Sequence, residues 1–94
     1  MYVRLVRFAL GPGNRAVAQA IADDLAPQIA AQPGCGGVTV FGDDSDGQYG
    51  MVVHWDTQAD ANAAAAVISP QLNRHLSGHI QGALDARLFE VLSA

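Results

Sequence analysis

Gln48-Tyr49-Gly50-Met51-Val52-Val53-His54-Trp55, followed at once by Asp56-Thr57-Gln58-Ala59-Asp60, is the stretch on which the fold turns. In an extended chain alternate side chains share a face, so Tyr49, Met51, Val53 and Trp55 point one way and Gly50, Val52 and His54 the other. Few of these residues suit water, and both faces of the strand are expected to be covered. The segment after it has the Ser/Thr-x-x-acid pattern. Thr57 can cap a helix through its hydroxyl, and the Asp60 carboxylate sits well beside the positive helix end.

Upstream, Gly42-Asp43-Asp44-Ser45-Asp46-Gly47 is polar and flexible enough for a hairpin loop, and Gly36–Phe41 before it reads as a second strand. Pro33-Gly34 closes a helix whose apolar residues Val17, Ile21, Leu25 and Ile29 recur every fourth position, with Asn14 as its cap and an end near Ala31. Pro27 lacks an amide hydrogen, which predicts a kink near Asp23 or a restart. Tyr2–Leu10 is rich in β-branched and aromatic residues and stops at Gly11-Pro12-Gly13, which makes it the first strand. Downstream, the alanine-rich helix is expected to run to Ile68 and break at Ser69-Pro70. It would resume as a second segment carrying Leu72, Leu76 and Ile80, until Gly82. Ala86–Leu92 reads as the last strand.

The order βαββαβ predicts an α+β, ferredoxin-like fold: a four-stranded antiparallel sheet with two helices on one face. Strand one offers Tyr2, Val6 and Phe8 to one side and Val3, Leu5 and Ala9 to the other, so the helix-free face needs a cover. A second copy of the chain would supply it, closing a mostly apolar pocket between the sheets. Burying ~500 Å² of apolar surface per subunit is worth on the order of 12 kcal/mol before association costs.

Composition supports one domain. The chain has 94 residues, half of them apolar and 15% charged, which describes a single globular core over residues 1–94. A net charge of −4, carried with five Arg and no Lys, leaves no basic stripe for nucleic acid. The longest uncharged stretch, Leu25–Gly42, is broken by Pro27, Pro33 and Gly34, so no membrane span is expected. A lone Cys35 and a start that reads directly into a strand imply a cytoplasmic setting.

Among candidate functional residues, Trp55, Tyr49, Met51, Phe8, Val53 and Val6 serve either as core or as pocket wall. Arg4, flanked by Val3 and Leu5, faces either a pocket, where it could pair with an anion, or the dimer rim. His75 and His79 have the spacing of two ligands on one helical face, but no third ligand is evident and no metal is expected. Asp43, Asp44 and Asp46 lack the terminal Glu of a calcium loop. Cys35 has no basic neighbour to activate it.

The first strand ending in Gly11-Pro12-Gly13, Pro33-Gly34 before the second strand, the passage Val53-His54-Trp55-Asp56-Thr57 and His75 late in the second helical region together resemble the antibiotic-biosynthesis-monooxygenase-like proteins of the dimeric α+β barrel superfamily. That resemblance implies a homodimer and, in some members, oxidation of phenolic or quinol-like substrates to quinones without metal, flavin or other cofactor. Quinone-forming members place an Asn four residues before the strand-three Trp and a Tyr six after it; here Met51 and Ala61 stand there. Proton handling would then fall to Arg4, Tyr49 or His75. Haem-degrading members use a helix-two histidine, near His75 here, with a strand Asn and a helix Trp, where this chain has Val6 and Ala65-Ala66.

The expected function is therefore a cofactor-independent monooxygenase of a small aromatic compound. Its catalytic candidates are His75, Arg4 and Tyr49, and Trp55, Met51, Val53, Val6 and Phe8 would bind substrate. The alternative is a non-catalytic dimeric module for a small hydrophobic ligand, and the third reading is a haem protein.

Overall fold

The computed structural model describes all 94 residues. Its elements are β1 (Tyr2–Ala9), α1 (Arg15–Ala30), β2 (Cys35–Asp43), β3 (Gln48–Trp55), α2 (Gln58–Leu76) and β4 (Gln81–Glu90). The strands form one antiparallel sheet in the order β2-β3-β1-β4. This is the expected ferredoxin-like α+β architecture.

Register decides which side chains are buried. Arg4 lies opposite Val53 on β3 and Leu88 on β4, and Val6 lies opposite Met51 and Ala86. Val6, Phe8, Tyr49, Met51, Val53 and Trp55 therefore share one face of the sheet. They join Ile21, Leu25 and Ile29 of α1 and Ala61, Ala64, Ile68, Leu72 and Leu76 of α2 in a single core that contains no buried polar residue. The opposite face has no such cover within the chain: Val3, Leu5 and Val52 are half-buried, His54 is exposed, and Phe41 and Phe89 are exposed large apolar residues. Only one face of β3 is covered by this chain's own elements.

Both helices run through their prolines, without a restart in α1 or the expected break in α2. α1 continues across Pro27 to Ala30, and what is forfeited is one amide donor towards the exposed Asp23 turn. α2 is one helix, not two: Pro70 lies inside it, on the exposed side. Proline in a helix interior costs about 3 kcal/mol. Beyond it, Leu72 and Leu76 extend the buried stripe of Ala61, Ala64 and Ile68, and burying two leucines contributes roughly 1.5–3 kcal/mol each. Packing therefore outweighs the break. The helix ends at Leu76, so Ile80 lies outside it and β4 starts at Gln81, five residues earlier than Ala86.

The caps also differ from one another. Thr57 Oγ1 accepts from the Asp60 amide at 3.0 Å, as its sequence pattern requires. Asn14 occupies the start of α1 but its side chain makes no cap; Nδ2 instead donates back to the Leu10 carbonyl at 2.7 Å. β2 begins one residue earlier than the expected Gly36 and ends two beyond Phe41, with a register shift between Cys35 and Gly37.

Candidate functional site

A cavity lies between the sheet and α2, within one chain and on the helix-covered side. Its floor is Val6 and Arg4 of β1, Met51, Val53 and Trp55 of β3, and Leu84 and Ala86 of β4. Its roof is α2, through Ala61, Ala64, Ala65, Ile68, Ser69 and Leu72, and Ile29 of α1 closes one end. The cavity volume is about 80 Å³, and its mouth is open to solvent. The space exists because α2 turns alanines towards the sheet where larger side chains would have filled it. Trp55 is 4% exposed and supplies the aromatic wall.

Arg4 and Ser69 are the polar groups in this lining, since 12 of its 14 residues are hydrophobic. Arg4 Nη2 donates to Asn62 Oδ1 of α2 at 3.3 Å, a contact that ties β1 to α2 at the surface. No carboxylate, imidazole, phenol or thiol lines the cavity.

Five of the eight expected site residues, Arg4, Val6, Met51, Val53 and Trp55, are thus brought together. The other three are placed elsewhere. Tyr49 is 3% exposed and Phe8 packs on it, with ring centroids 6.4 Å apart. The Tyr49 hydroxyl donates to Asp44 Oδ1 at 2.9 Å, beside the hairpin loop. Burial pushes its phenol above the ordinary 10.0, and the hydrogen bond and negative charge of Asp44 push it further. In the same loop the Ser45 hydroxyl, donating to Asp43 Oδ1 at 2.7 Å, holds the Asp43 carboxyl below its ordinary 3.8. His75 lies in a polar surface cleft with Asp24, Gln71 and Arg74, its Nε2 2.7 Å from Asp24 Oδ2.

These positions bear on the other readings. His79 follows the end of α2, so the two histidines do not share a helical face, and no three His, Cys, Asp or Glu side chains gather as a metal site. The histidine that a haem reading requires sits outside the cavity. The lining that the sequence reading missed is the α2 roof and the β4 edge. Its signal was the run Ala63–Ala66 with Ala61, which marks a helix that leaves room.

The fold is that of a small α+β domain with an apolar cavity, open at its mouth, between the sheet and α2. The sequence model of the antibiotic biosynthesis monooxygenase family matches residues 1–66, and the chain belongs to that family. Among solved structures it is similar to SnoaB, a cofactor-independent oxygenase from Streptomyces nogalater, with a TM-score of 0.79, 21% identity, and coverage of 99% of this chain and 94% of that one. It is similar also to a protein of unknown function from Nitrosomonas europaea (TM-score 0.84, 17% identity, covering 99% of this chain and 90% of that one). A third is Rv0793 from Mycobacterium tuberculosis (TM-score 0.77, 14% identity, 99% and 96% covered). At these identities the likeness is one of fold. No curated protein matches the chain. No helix is long and apolar enough to cross a membrane.

Proposed function

We propose that the chain is a cofactor-independent monooxygenase that converts a small phenolic or quinol-like arene to a quinone in the cavity beneath α2. The observation that carries this is the cavity itself, an apolar chamber with one aromatic wall, Trp55, and one charged residue, Arg4. An arenol with a free para position can reduce dioxygen without help: one oxygen atom becomes the second quinone carbonyl, the other leaves as water with the two displaced hydrogens, and the arene supplies all four electrons. The protein's part is to hold ring and oxygen together in a space that excludes water. SnoaB, of the same fold, is a cofactor-independent oxygenase, which supports the assignment of chemistry.

The proposal includes a second copy. The half-buried Val3, Leu5 and Val52 and the exposed Phe41 and Phe89 lie on the sheet face away from the helices, a surface that would otherwise invite aggregation. Two such faces packed together make a homodimer with the helices outside.

Oxygen uptake and quinone absorbance, followed with hydroxynaphthalenes and anthrones, test the oxygenase reading. Turnover that falls at least tenfold in Ala65→Leu supports it; no turnover of any arene removes it. A second reading, a ligand-binding module without catalysis, is favoured by the lack of any acid or base among the lining residues. Tight ring binding without oxygen uptake would select it.

A further inference from the structure

Arg4 has a feature that the oxygenase reading does not use. The two ion pairs of the chain are His75–Asp24 and Arg87–Asp85, and Arg4 takes part in neither. Its hydrogen bond goes to a neutral amide oxygen, that of Asn62, and at 3.3 Å it is a long one. Glu90, two residues along β4 from the Arg4 partner Leu88, makes no ion pair with it. A guanidinium carries five N–H donors in a planar fork suited to an oxyanion. Here most of them have no protein partner, and the group stands in the lining of a cavity that is otherwise almost wholly apolar. The protein's net charge is −4, so an acid to pair with Arg4 was available in composition and is not placed there.

We infer that Arg4 is the specificity-determining residue of the cavity, and that its ligands are arenes carrying an oxyanion, a carboxylate or an ionised hydroxyl, which docks on the Arg4 guanidinium while the ring lies against Trp55. Asn62 is a positioning residue. Its amide holds the fork at the junction of β1 and α2 without neutralising it, which Asp at the same place would do. The guanidinium meets Asn62 at the exposed mouth of the cavity, so water partly screens the contact while the apolar walls hold the ring. Neutral arenes of equal size make the same ring contacts and leave the guanidinium to solvent, so the pocket discriminates by charge at one end and by shape at the other. The inference rests on the proposal that the cavity is the ligand site, and does not require that the ligand be oxidised.

Calorimetric titration of the full chain with 2-naphthoate and with 2-naphthamide at neutral pH separates these statements. The carboxylate is expected to bind roughly tenfold tighter than the amide. Arg4→Gln should erase the difference, mainly by weakening the carboxylate. Asn62→Asp, an exposed change that leaves the core untouched and places a carboxylate beside Arg4, should do the same, and it keeps the test informative if Arg4→Gln does not fold. Equal affinity for the two probes, or a preference that survives in both variants, would overturn the inference. Failure of both probes to bind would overturn it together with the cavity reading. Charge-selective binding with no oxygen uptake by any arenol leaves the inference standing and removes only the oxygenase.

Discussion

His75 Nε2 and Asp24 Oδ2 lie 2.7 Å apart and join α2 to α1 at the surface, outside the cavity. With side-chain exposures of 29% and 50%, the pair is well solvated, and such pairs contribute about 0–1 kcal/mol. His75→Ala is therefore expected to change the unfolding free energy by less than about 1 kcal/mol and to leave ligand affinity unaltered. Urea denaturation and calorimetric titration check the two halves; a large loss of ring binding would return His75 to the site.

Ala65 is half-buried in the cavity roof. Ala65→Leu should occupy the space a ring needs, lowering affinity at least about tenfold. Stability should hold or rise, since filling a cavity commonly adds about 0.5–2 kcal/mol. Thermal unfolding measured beside ligand titration distinguishes a filled pocket from a damaged one.

Gly47 has a φ of +71°, and a Cβ there would collide with the backbone of Gly11. Its amide donates to Asp43 at 2.8 Å and its carbonyl accepts from Leu10 at 2.9 Å, so the turn cannot move aside without losing both bonds. Gly47→Ala should cost more than about 2 kcal/mol. Gly13→Ala, with an equally positive φ of +82° but open space around it, should cost less. Urea midpoints of the two variants give the comparison.

Tyr49 ties pH to stability. Its phenol is raised in the folded state by burial and by Asp44, so the native chain holds that proton more tightly than the unfolded chain does. The contribution is complete below the ordinary value of 10.0 and is lost as pH rises through the raised one. The unfolding free energy of the wild type should decline in that alkaline range more steeply than that of Tyr49→Phe. Ultraviolet titration should show a late-ionising tyrosine that the substitution removes.

Val52 lies opposite Leu5 on the helix-free face, at the centre of the proposed pairing surface. Val52→Arg should convert a dimer into monomers in sedimentation velocity, with the circular dichroism of the fold retained. A wild-type chain that sediments as a monomer at micromolar concentration would remove the dimer proposal itself.

Much of this fold was legible because the strands announce themselves. Gln48–Trp55 carries its alternation and its boundaries in the residues themselves, and Thr57 with Asp60 marks the next helix to the residue. The passage through Pro70 was not legible, since what overrides a proline is the burial of Leu72 and Leu76, a tertiary effect with no local sign. β4 was read short because Gly82 looked like a helix stop, yet its φ of +75° falls within the strand, where β4 is irregularly paired with β1. In the cavity lining, Val6, Met51, Val53 and Trp55 share one sheet face, which strand alternation alone predicts. The roof is not so predicted, because an alanine contributes to a cavity by what it omits. His75 and Tyr49 lie outside the cavity lining, a placement set by three-dimensional packing with no local sign in the sequence.

Apart from the Tyr49 hydroxyl, which donates to Asp44, the interior is apolar, and no buried side-chain donor or acceptor is left unpaired. A centre of that kind imposes size and shape on its occupants and makes no demand for a particular partner, so one aliphatic can give way to another when volume is conserved. Chains that agree at 14% to 21% of positions can therefore trace nearly the same path, because such an interior tolerates exchange of one aliphatic for another.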